Sequence, residues 1–349
     1  MTTRLTRRHF VELCAGSTAA LGLSLFKNPE FERLFAAALA EVPVIWFQGS
    51  GCNGCSVSVL NSFPVTIQDL LLSEVVSGKH VNLRFHNTVM AAQGDLAMQA
   101  MYDTETGPFA LVVEGGVALK DGGIYCEVGE KDGHGIPVAE TLERLGRKAI
   151  ATIALGTCAS SGGISASPPN PGEVVGMAEF YKQKGITTPV INVPGCPPHP
   201  DWFVGTLAQV LIGGPESVKV DKDLRPTAFY GKLIHDQCPR RGQFAAGKFA
   251  TNFGDPDCLY KLGCKGPVTH ADCNDRLWNN KTRWCIEAGA PCIGCAELAF
   301  PAGLGPVHEP IDLTADQTLD KVAIGMASAA VLTAGVIAAT RDKSGSPAH

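Results

Sequence analysis

Cysteine is the residue type whose number and spacing point most directly to chemistry in this chain. The chain has 349 residues and 13 cysteines, an odd number that argues against a fully paired disulfide framework. Cys52 and Cys55 form a C-x-x-C pair in the loop GSGCNGC, directly after an apolar run. Thiolates at such a spacing are typical metal ligands, so metal binding is the favoured interpretation of this loop.

The same loop has the form G-x-G-x-x-G, which binds dinucleotides in other proteins. A dinucleotide site also needs a carboxylate at the end of the second strand, about twenty residues on, to hold a ribose. Here the second predicted strand, VNLRF, is followed by His86. The context of a dinucleotide site is therefore missing.

More cysteines follow the later strands that the sequence predicts. Cys52 and Cys55 come after the first strand, and Cys158 and Cys196 each follow a later one. Ligands in open α/β sheets bind outside the carboxyl ends of the strands, so these four thiols are expected to meet. Four thiolates suit a [4Fe–4S] cluster. Structural zinc also takes four thiolates, but usually from two compact C-x2-C pairs.

The C-terminal third of the chain carries a second set of potential ligands. One histidine and seven cysteines lie between residues 235 and 295, enough for two further four-iron clusters. In chain order they are His235, Cys238, Cys258, Cys264, Cys273, Cys285, Cys292 and Cys295.

Alternating strand and helix patterns predict an α/β fold with an open parallel sheet that positions the first cysteine set. The predicted strands are 43–47, 81–85, 109–114, 149–154 and 189–193. The predicted helices are 66–76, 138–145, 171–183 and 202–211. We assign residues 41–217 to this first domain and residues 218–305, which are rich in loops and cysteine, to a second domain held together by metal.

The N-terminus predicts export. Thr6-Arg7-Arg8-His9-Phe10 is a twin-arginine signal, followed by an apolar stretch and the small residues Ala38-Leu39-Ala40. We therefore interpret residues 1–40 as a signal peptide that the Tat export machinery recognises. That route exports folded proteins, which suits a protein with assembled metal cofactors. A basic N-terminal helix is the alternative.

The C-terminus predicts a membrane anchor. Residues 322–340 contain no charged side chain and would span roughly 28 Å as a helix, close to the hydrocarbon thickness of a bilayer. Residues 306–321 are interpreted as a linker and residues 341–349 as a tail. A buried helix of a soluble protein is the alternative. The net charge of −5 gives no indication of a nucleic-acid partner.

Taken together, the motifs CNGCSVSVLN, GTCASSGG, VPGCPPHP, LIHDQC, YKLGCKGP and APCIGC resemble the small, electron-transferring subunit of periplasmic [NiFe] hydrogenases. The resemblance covers about residues 42–301. It implies a flavodoxin-like first domain and three iron–sulfur clusters. By resemblance, the proximal [4Fe–4S] cluster is bound by Cys52, Cys55, Cys158 and Cys196. The distal [4Fe–4S] cluster is bound by His235, Cys238, Cys258 and Cys264. The medial cluster is bound by Cys273, Cys292 and Cys295.

Cys285 departs from the usual pattern of this family. Most such subunits have proline there and a [3Fe–4S] medial cluster, whereas a fourth thiolate predicts [4Fe–4S], as in the nickel–iron–selenium branch. If Cys285 is only a buried thiol, the medial cluster is [3Fe–4S]. Gly51, where many relatives have glutamate, also resembles that branch. Gly54 and Gly163 stand where oxygen-tolerant members carry two extra cysteines, so an ordinary proximal cluster is expected.

The resemblance implies that the chain relays electrons between a nickel–iron site in a large partner subunit, where H2 is oxidised or evolved, and an external acceptor. No residue of this chain is then catalytic. The acceptor is expected to be a membrane cytochrome b or another quinone-linked subunit, or a multihaem cytochrome c. The expected location is the periplasmic side of the inner membrane.

Three other functions compete with this one. The quinone-reductase subunit of respiratory complexes has only one cluster, and a hydrogen sensor would lack the signal and the anchor. A free-standing ferredoxin-like carrier would need no nickel-containing partner. Cys126 is expected to be a buried structural thiol. Glu114 is expected to position the proximal loops or the contact between subunits, and a purely structural role is the alternative. For His86 no role is predicted.

Overall fold

The computed structural model describes residues 43–62 and 81–311. The strands are β1 (Pro43–Gln48), β2 (Asn82–His86), β3 (Ala110–Glu114), β4 (Glu127–Lys131), β5 (His134–Pro137), β6 (Ala151–Leu155) and β7 (Val190–Val193). Five of them form a parallel sheet in the order β2–β1–β3–β6–β7, and β4 pairs with β5 as an antiparallel hairpin. Without the hairpin, the sheet has the 2-1-3-4-5 order of flavodoxin-like folds.

All five predicted strands are confirmed, with ends that differ by one or two residues. Every residue of β3 and β6 is buried, as expected for central parallel strands covered on both faces. Successive side chains enter opposite cores. Trp46 and Val112 join one core, and Ile45 and Leu111 join the other.

Helices cover both faces of the sheet. In this part of the chain they are α1 (Gly54–Leu60), α2 (Asp95–Thr104), α3 (Val138–Gly146), α4 (Thr157–Ser161), α5 (Met177–Lys184) and α6 (Pro200–Gly213). Two of the predicted helices are confirmed as α3 and α6. The helix predicted from 171 begins only at Met177, because Val175 is extended and exchanges backbone hydrogen bonds with Val117. The predicted helix 66–76 lies outside the described residues.

Residues 218–311 contain only short helices. They are α7 (Thr227–Tyr230), α8 (Ile234–Gln237), α9 (Arg241–Ala245) and α10 (Cys273–Arg276), with 3-10 turns at Leu259–Leu262, Gly266–Val268 and Ala302–Leu304. The apolar side chains of this part, such as Leu259 and Trp284, join the same core as Trp46. The loop-rich part is therefore packed directly on one face of the sheet.

Within residues 43–62 and 81–311, no helix has the length and apolar character needed to cross a membrane. The predicted signal peptide, most of the predicted linker and the predicted anchor at 322–340 lie outside the described residues.

Candidate metal centres

The first centre lies where three loops meet at the carboxyl edge of the sheet. Cys52 and Cys55 follow β1, Cys158 lies in α4 directly after β6, and Cys196 follows β7. The pKa of the Cys55 thiol is raised well above its usual value, first by burial, then by Glu114 and by the other three cysteines. The four sulfurs are thus close enough to repel one another as thiolates, which a positively charged metal centre would offset.

Glycines allow the backbone to approach these sulfurs closely. Gly156 has a φ of +88°, and a Cβ atom there would overlap the Cys55 sulfur. At Gly163, with a φ of +52°, a Cβ atom would lie 2.8 Å from the Cys158 nitrogen and 3.0 Å from its sulfur. Left-handed backbone favours glycine in any case, and here the space favours it as well.

Glu114 holds the first cysteine loop against the sheet. This carboxylate ends β3 and is 1% exposed. Its Oε1 accepts the backbone N–H groups of Cys55 at 3.0 Å and Ser56 at 3.1 Å. Its Oε2 accepts the Ser56 hydroxyl at 2.5 Å and the Trp46 indole N–H at 3.1 Å. Four converging donors suit an ionised carboxylate, which only accepts hydrogen bonds.

His86 completes this buried network. Its Nε2 lies 3.2 Å from the Ser56 hydroxyl, and its ring lies 4.8 Å from that of Trp46. Burial lowers the pKa of His86 to about 4. The imidazole is therefore neutral at pH 7 and supports the cysteine loop through hydrogen bonding and packing.

The second centre contains Cys273, Cys285, Cys292 and Cys295. Burial raises the pKa of each of these thiols, and Cys295 rises to about 11. The charge of Cys285 contributes to the raised pKa of Cys273 and of Cys295, so this thiol lies near both. The residue as a whole is exposed on the isolated chain although its thiol is partly covered, whereas Cys292 is buried.

An indole N–H points at this second centre. The Nε1 atom of Trp278 is buried and has no hydrogen-bond partner among the described residues. It lies near the Cys273 thiol, where it opposes the rise in pKa that burial and Cys295 cause. A buried donor of this kind is costly unless it is paired, and a thiolate that binds iron would accept it.

The third centre is a small cavity lined by His235, Cys238, Cys258 and Cys264, together with apolar residues such as Ile234 and Pro267. The pKa of Cys264 is raised to about 11, mainly by burial and in smaller part by Cys238 and Cys258. The ring of His235 is buried and lies 4.6 Å from that of Phe244 in an edge-to-face contact. One imidazole and three thiols thus share this cavity.

The three groups are joined in a row. The buried Thr157 hydroxyl links the first and second groups, since it accepts the N–H of Gly195, next to Cys196, at 2.9 Å and donates to the Cys295 carbonyl at 2.6 Å. At the other end, the backbone N–H of Lys265, next to Cys264 of the third group, donates to the Cys292 carbonyl at 2.7 Å.

The chemistry of the donor sets fits iron–sulfur clusters. Groups of three or four thiols are the usual ligands of that cofactor.

Several residues near these groups were not singled out from the sequence. They are Trp46, Ser56, Thr157, Arg225, Lys265 and Trp278. No short motif marks them, because their roles depend on contacts between distant segments. Cys126 packs against the core that contains Ile45 and Leu111, and burial raises the pKa of its thiol.

Two family descriptions match the chain. Residues 230–308 match the family formed by the C-terminal part of NiFe/NiFeSe hydrogenase small subunits. Residues 52–210 match the family of the NADH ubiquinone oxidoreductase 20 Kd subunit. The match to the 20 Kd subunit reflects the similarity of the N-terminal domain that the sequence predicts. The match to the C-terminal part of hydrogenase small subunits distinguishes the chain from that 20 Kd subunit.

Similar proteins cover nearly the whole chain. The periplasmic [NiFeSe] hydrogenase small subunit of Desulfomicrobium baculatum is 41% identical, over 87% of this chain and 98% of that protein. The quinone-reactive Ni/Fe-hydrogenase small chain of Wolinella succinogenes is 36% identical, over 94% and 96%. The solved structure of the reduced, active Ni–Fe–Se hydrogenase from Desulfomicrobium baculatum matches with a TM-score of 0.73 and 41% identity, and covers 78% of this chain and 100% of that one.

The parallel sheet, the cysteine loops at its carboxyl edge and these matches define an iron–sulfur subunit of a multisubunit oxidoreductase. The chain belongs to the family of NiFe/NiFeSe hydrogenase small subunits. It is the electron-transfer partner of a large subunit, in which the active site lies.

Proposed function

We propose that the chain relays electrons between the large subunit and an external acceptor through three iron–sulfur clusters. The proximal cluster would be held by Cys52, Cys55, Cys158 and Cys196. The distal cluster would be held by His235, Cys238, Cys258 and Cys264. The medial cluster would be held by Cys273, Cys285, Cys292 and Cys295. When bound, these clusters supply one-electron redox chemistry, and the chain fixes their order and tunes their potentials.

The continuous row of ligand groups is the observation that carries this proposal. The Thr157 hydroxyl connects the segments that carry Cys196 and Cys295, and the N–H of Lys265, next to Cys264, donates to the Cys292 carbonyl at 2.7 Å. A carrier with one centre would not need three thiol groups in series. A zinc-stabilised domain would not need neighbouring thiol groups whose ligand segments contact one another.

The medial cluster is proposed to be [4Fe–4S]. Cys285 lies close enough to Cys273 and Cys295 to raise the pKa of both thiols. A fourth thiolate in this position would retain the fourth iron, which a proline cannot do. The expected consequence is a lower potential at the middle of the relay than a [3Fe–4S] cluster has.

Electron paramagnetic resonance of the oxidised complex tests the proposal. Three oxidised [4Fe–4S] clusters are diamagnetic, so no sharp three-iron signal is expected, and iron should total about twelve atoms in this chain by the ligand count. In the variant Cys285→Pro we expect one stoichiometric three-iron signal and the loss of one iron. Cys126→Ser is the matched control and should retain the native spectrum and iron content. A three-iron signal in the native complex would exclude Cys285 as a ligand, and an iron content far below ten would contradict the three-cluster relay.

The proposed acceptor is a membrane-bound cytochrome b or another quinone-linked subunit. The segment 306–311, which leads towards the predicted anchor at 322–340, packs on the loop that carries two distal ligands. Tyr260 donates to the Ile311 carbonyl at 2.5 Å, and Lys265 donates to the Pro306 carbonyl at 3.0 Å. The chain would thus continue towards the membrane from a point next to the distal cluster. A soluble multihaem cytochrome c is the competing acceptor.

We further propose Tat-dependent export and location on the periplasmic side of the inner membrane. The twin-arginine motif supports this proposal, and two similar proteins carry the words periplasmic and quinone-reactive in their names. We also expect an ordinary four-cysteine proximal cluster. The crowding of Gly163 against Cys158 supports this expectation, because it leaves no room for an extra side chain there.

A further inference from the structure

Lys265 is a buried cation at the far end of the relay. The residue is 1% exposed, and its Nζ donates hydrogen bonds to the carbonyl oxygens of Pro306 at 3.0 Å and Glu309 at 2.6 Å. Among the residues that the structure describes, no carboxylate forms an ion pair with it. The ammonium is thus covered by the thin C-terminal segment 306–311, and only neutral carbonyl dipoles contact it.

The position of Lys265 relates it to two of the three centres. It directly follows Cys264 of the distal group, and its backbone N–H donates to the carbonyl of Cys292 in the medial group at 2.7 Å. Its aliphatic stem lies against Gly294, since a Cβ atom at that glycine would be 3.3 Å from the Lys265 Cβ. The side chain therefore runs along the loop between Cys292 and Cys295.

A buried charge is costly unless an opposite charge compensates it. No described carboxylate lies within ion-pair distance of the Lys265 ammonium. Burial lowers the pKa of Lys265, and the charges of Cys264 and Glu309 offset only part of this effect. Iron–sulfur clusters bound mainly by thiolates carry net negative charge, because the thiolates outweigh the charge of the iron–sulfide core. Clusters bound by the neighbouring Cys264 and Cys292 would supply further negative charge beside this side chain.

The proximal end has the opposite fixed charge. There the buried carboxylate of Glu114 accepts the N–H of Cys55 at 3.0 Å and contributes to the raised pKa of that thiol. A negative charge near a cluster disfavours its reduced form, and a positive charge favours it. The two buried charges therefore oppose each other along the row.

We propose that Lys265 is the counter-charge of the medial and distal centres and, with Glu114 at the other end, builds a gradient of reduction potential that favours electron flow away from the large subunit. This inference rests on the cluster assignment proposed above. Lys265 is a tuning residue, not a ligand, and it acts through its charge.

The test is a redox titration of the complete large–small complex, followed by electron paramagnetic resonance. We compare the native protein with Lys265→Met and Lys265→Gln, which remove the charge, and Lys265→Arg, which retains it. Both neutral variants should shift the medial and distal potentials to more negative values and leave the proximal potential unchanged. The arginine variant should stay close to the native potentials. Two neutral side chains are used so that a failure of one to assemble does not remove the test.

Tyr260→Phe separates charge from structure. It removes the hydrogen bond to the Ile311 carbonyl, and so loosens the segment 306–311, without changing any charge. Hydrogen exchange in that segment should rise in this variant while all three potentials remain native. Equal shifts in Tyr260→Phe and Lys265→Met would mean that Lys265 acts only by holding the segment. Unchanged potentials in both neutral variants would also overturn the inference. A native complex that lacks one of the three centres would instead overturn the cluster assignment.

Discussion

Two buried polar residues, Glu114 and His86, determine how the first cysteine loop is held. Glu114 accepts hydrogen bonds from two backbone N–H groups of α1, from the Ser56 hydroxyl and from Trp46. His86 packs on Trp46 and contacts the same hydroxyl. None of these groups is a proposed ligand, yet together they orient Cys55.

We expect the variant Glu114→Gln to destabilise the protein by about 1–3 kcal/mol, because hydrogen bonds to a charged group are lost and an amide N–H2 must face other donors. The proximal cluster should also be lost more readily during purification. Thermal unfolding and the iron content of the complex measure both effects. Glu173→Gln is the control, since its ion pair with Lys120 is exposed and contributes little. Native iron content and stability in Glu114→Gln would contradict a supporting role.

His86 should make the protein less stable in mildly acidic solution. Its pKa is about 4 in the folded state, against an ordinary value near 6.5 in the unfolded chain. The unfolded state therefore binds the extra proton first, and stability falls as the pH decreases from about 6.5 towards 4. The loss over this window should be on the order of 2–3 kcal/mol.

The measurement for His86 is the unfolding midpoint as a function of pH. His86→Asn cannot titrate in this range, so the part of the acid dependence that His86 causes should disappear in that variant. His134 is exposed on β5, and His134→Asn should leave the native profile unchanged. If native protein and His86→Asn lose stability in parallel between pH 6.5 and 4, the histidine is not the cause.

At the scale of elements, the loop after α4 has a backbone shape that would accommodate the proposed proximal centre. Helix α4 is only five residues long and ends at Gly162, with a left-handed φ of 90°. Gly163 is also left-handed and lies directly against Cys158. The chain therefore reverses direction directly after this short helix, and the Cys158 sulfur stays at the carboxyl edge of the sheet.

We expect Gly163→Ala to impair the proximal centre. A left-handed alanine alone costs about 1 kcal/mol, and the new Cβ would also lie 2.8 Å from the Cys158 nitrogen. The matched control is Gly185→Ala, which has a φ of +62° and no atom within 4 Å of the new Cβ. Both variants should lose stability, but only Gly163→Ala should lose proximal-cluster signal and iron. An equal effect in the two variants would show that backbone strain alone is responsible.

At the scale of the whole molecule, the buried guanidinium of Arg225 connects two segments of the loop-rich part. One of these segments carries Cys295 of the proposed medial centre. Arg225 is 2% exposed and forms ion pairs with Asp221 at 2.9 Å and Glu297 at 3.0 Å. It also donates to the carbonyl of Ala296, next to Cys295. Because the same core extends from the sheet to Trp284, the spacing of the centres is set by packing across both parts.

Removal of residues 313–349 should release the hydrogenase into the soluble fraction and leave dye reduction intact, because the proposed anchor is lost while all twelve proposed ligands remain. The measurement is activity in membrane and soluble fractions after cell breakage. A shorter deletion of residues 341–349 retains the apolar segment and should stay with the membrane. A truncated enzyme that still sediments with membranes would mean that residues 322–340 are not the anchor.

The sequence was sufficient to predict the parallel strands and helices α3 and α6. These predictions depend on local periodicity, which a buried strand or an amphipathic helix must have. It did not predict the hairpin β4–β5, whose residues are mostly exposed, or the short helix α1, whose cysteine and glycine content resembles a loop. The predicted start of α5 at residue 171 was wrong, because pairing between Val175 and Val117 outweighs the local helical pattern.

Residue types and spacing by themselves determined which side chains are available to bind metal, because cysteine and histidine ligands are recognisable in any context. They could not determine which thiols lie close enough to interact, how one group contacts the next, or where the balancing charges are buried. Thr157, Glu114 and Lys265 acquire their roles from segments tens to more than a hundred residues away. Only tertiary packing brings such segments together, since burial and hydrogen bonding across the chain leave no local signal in the sequence.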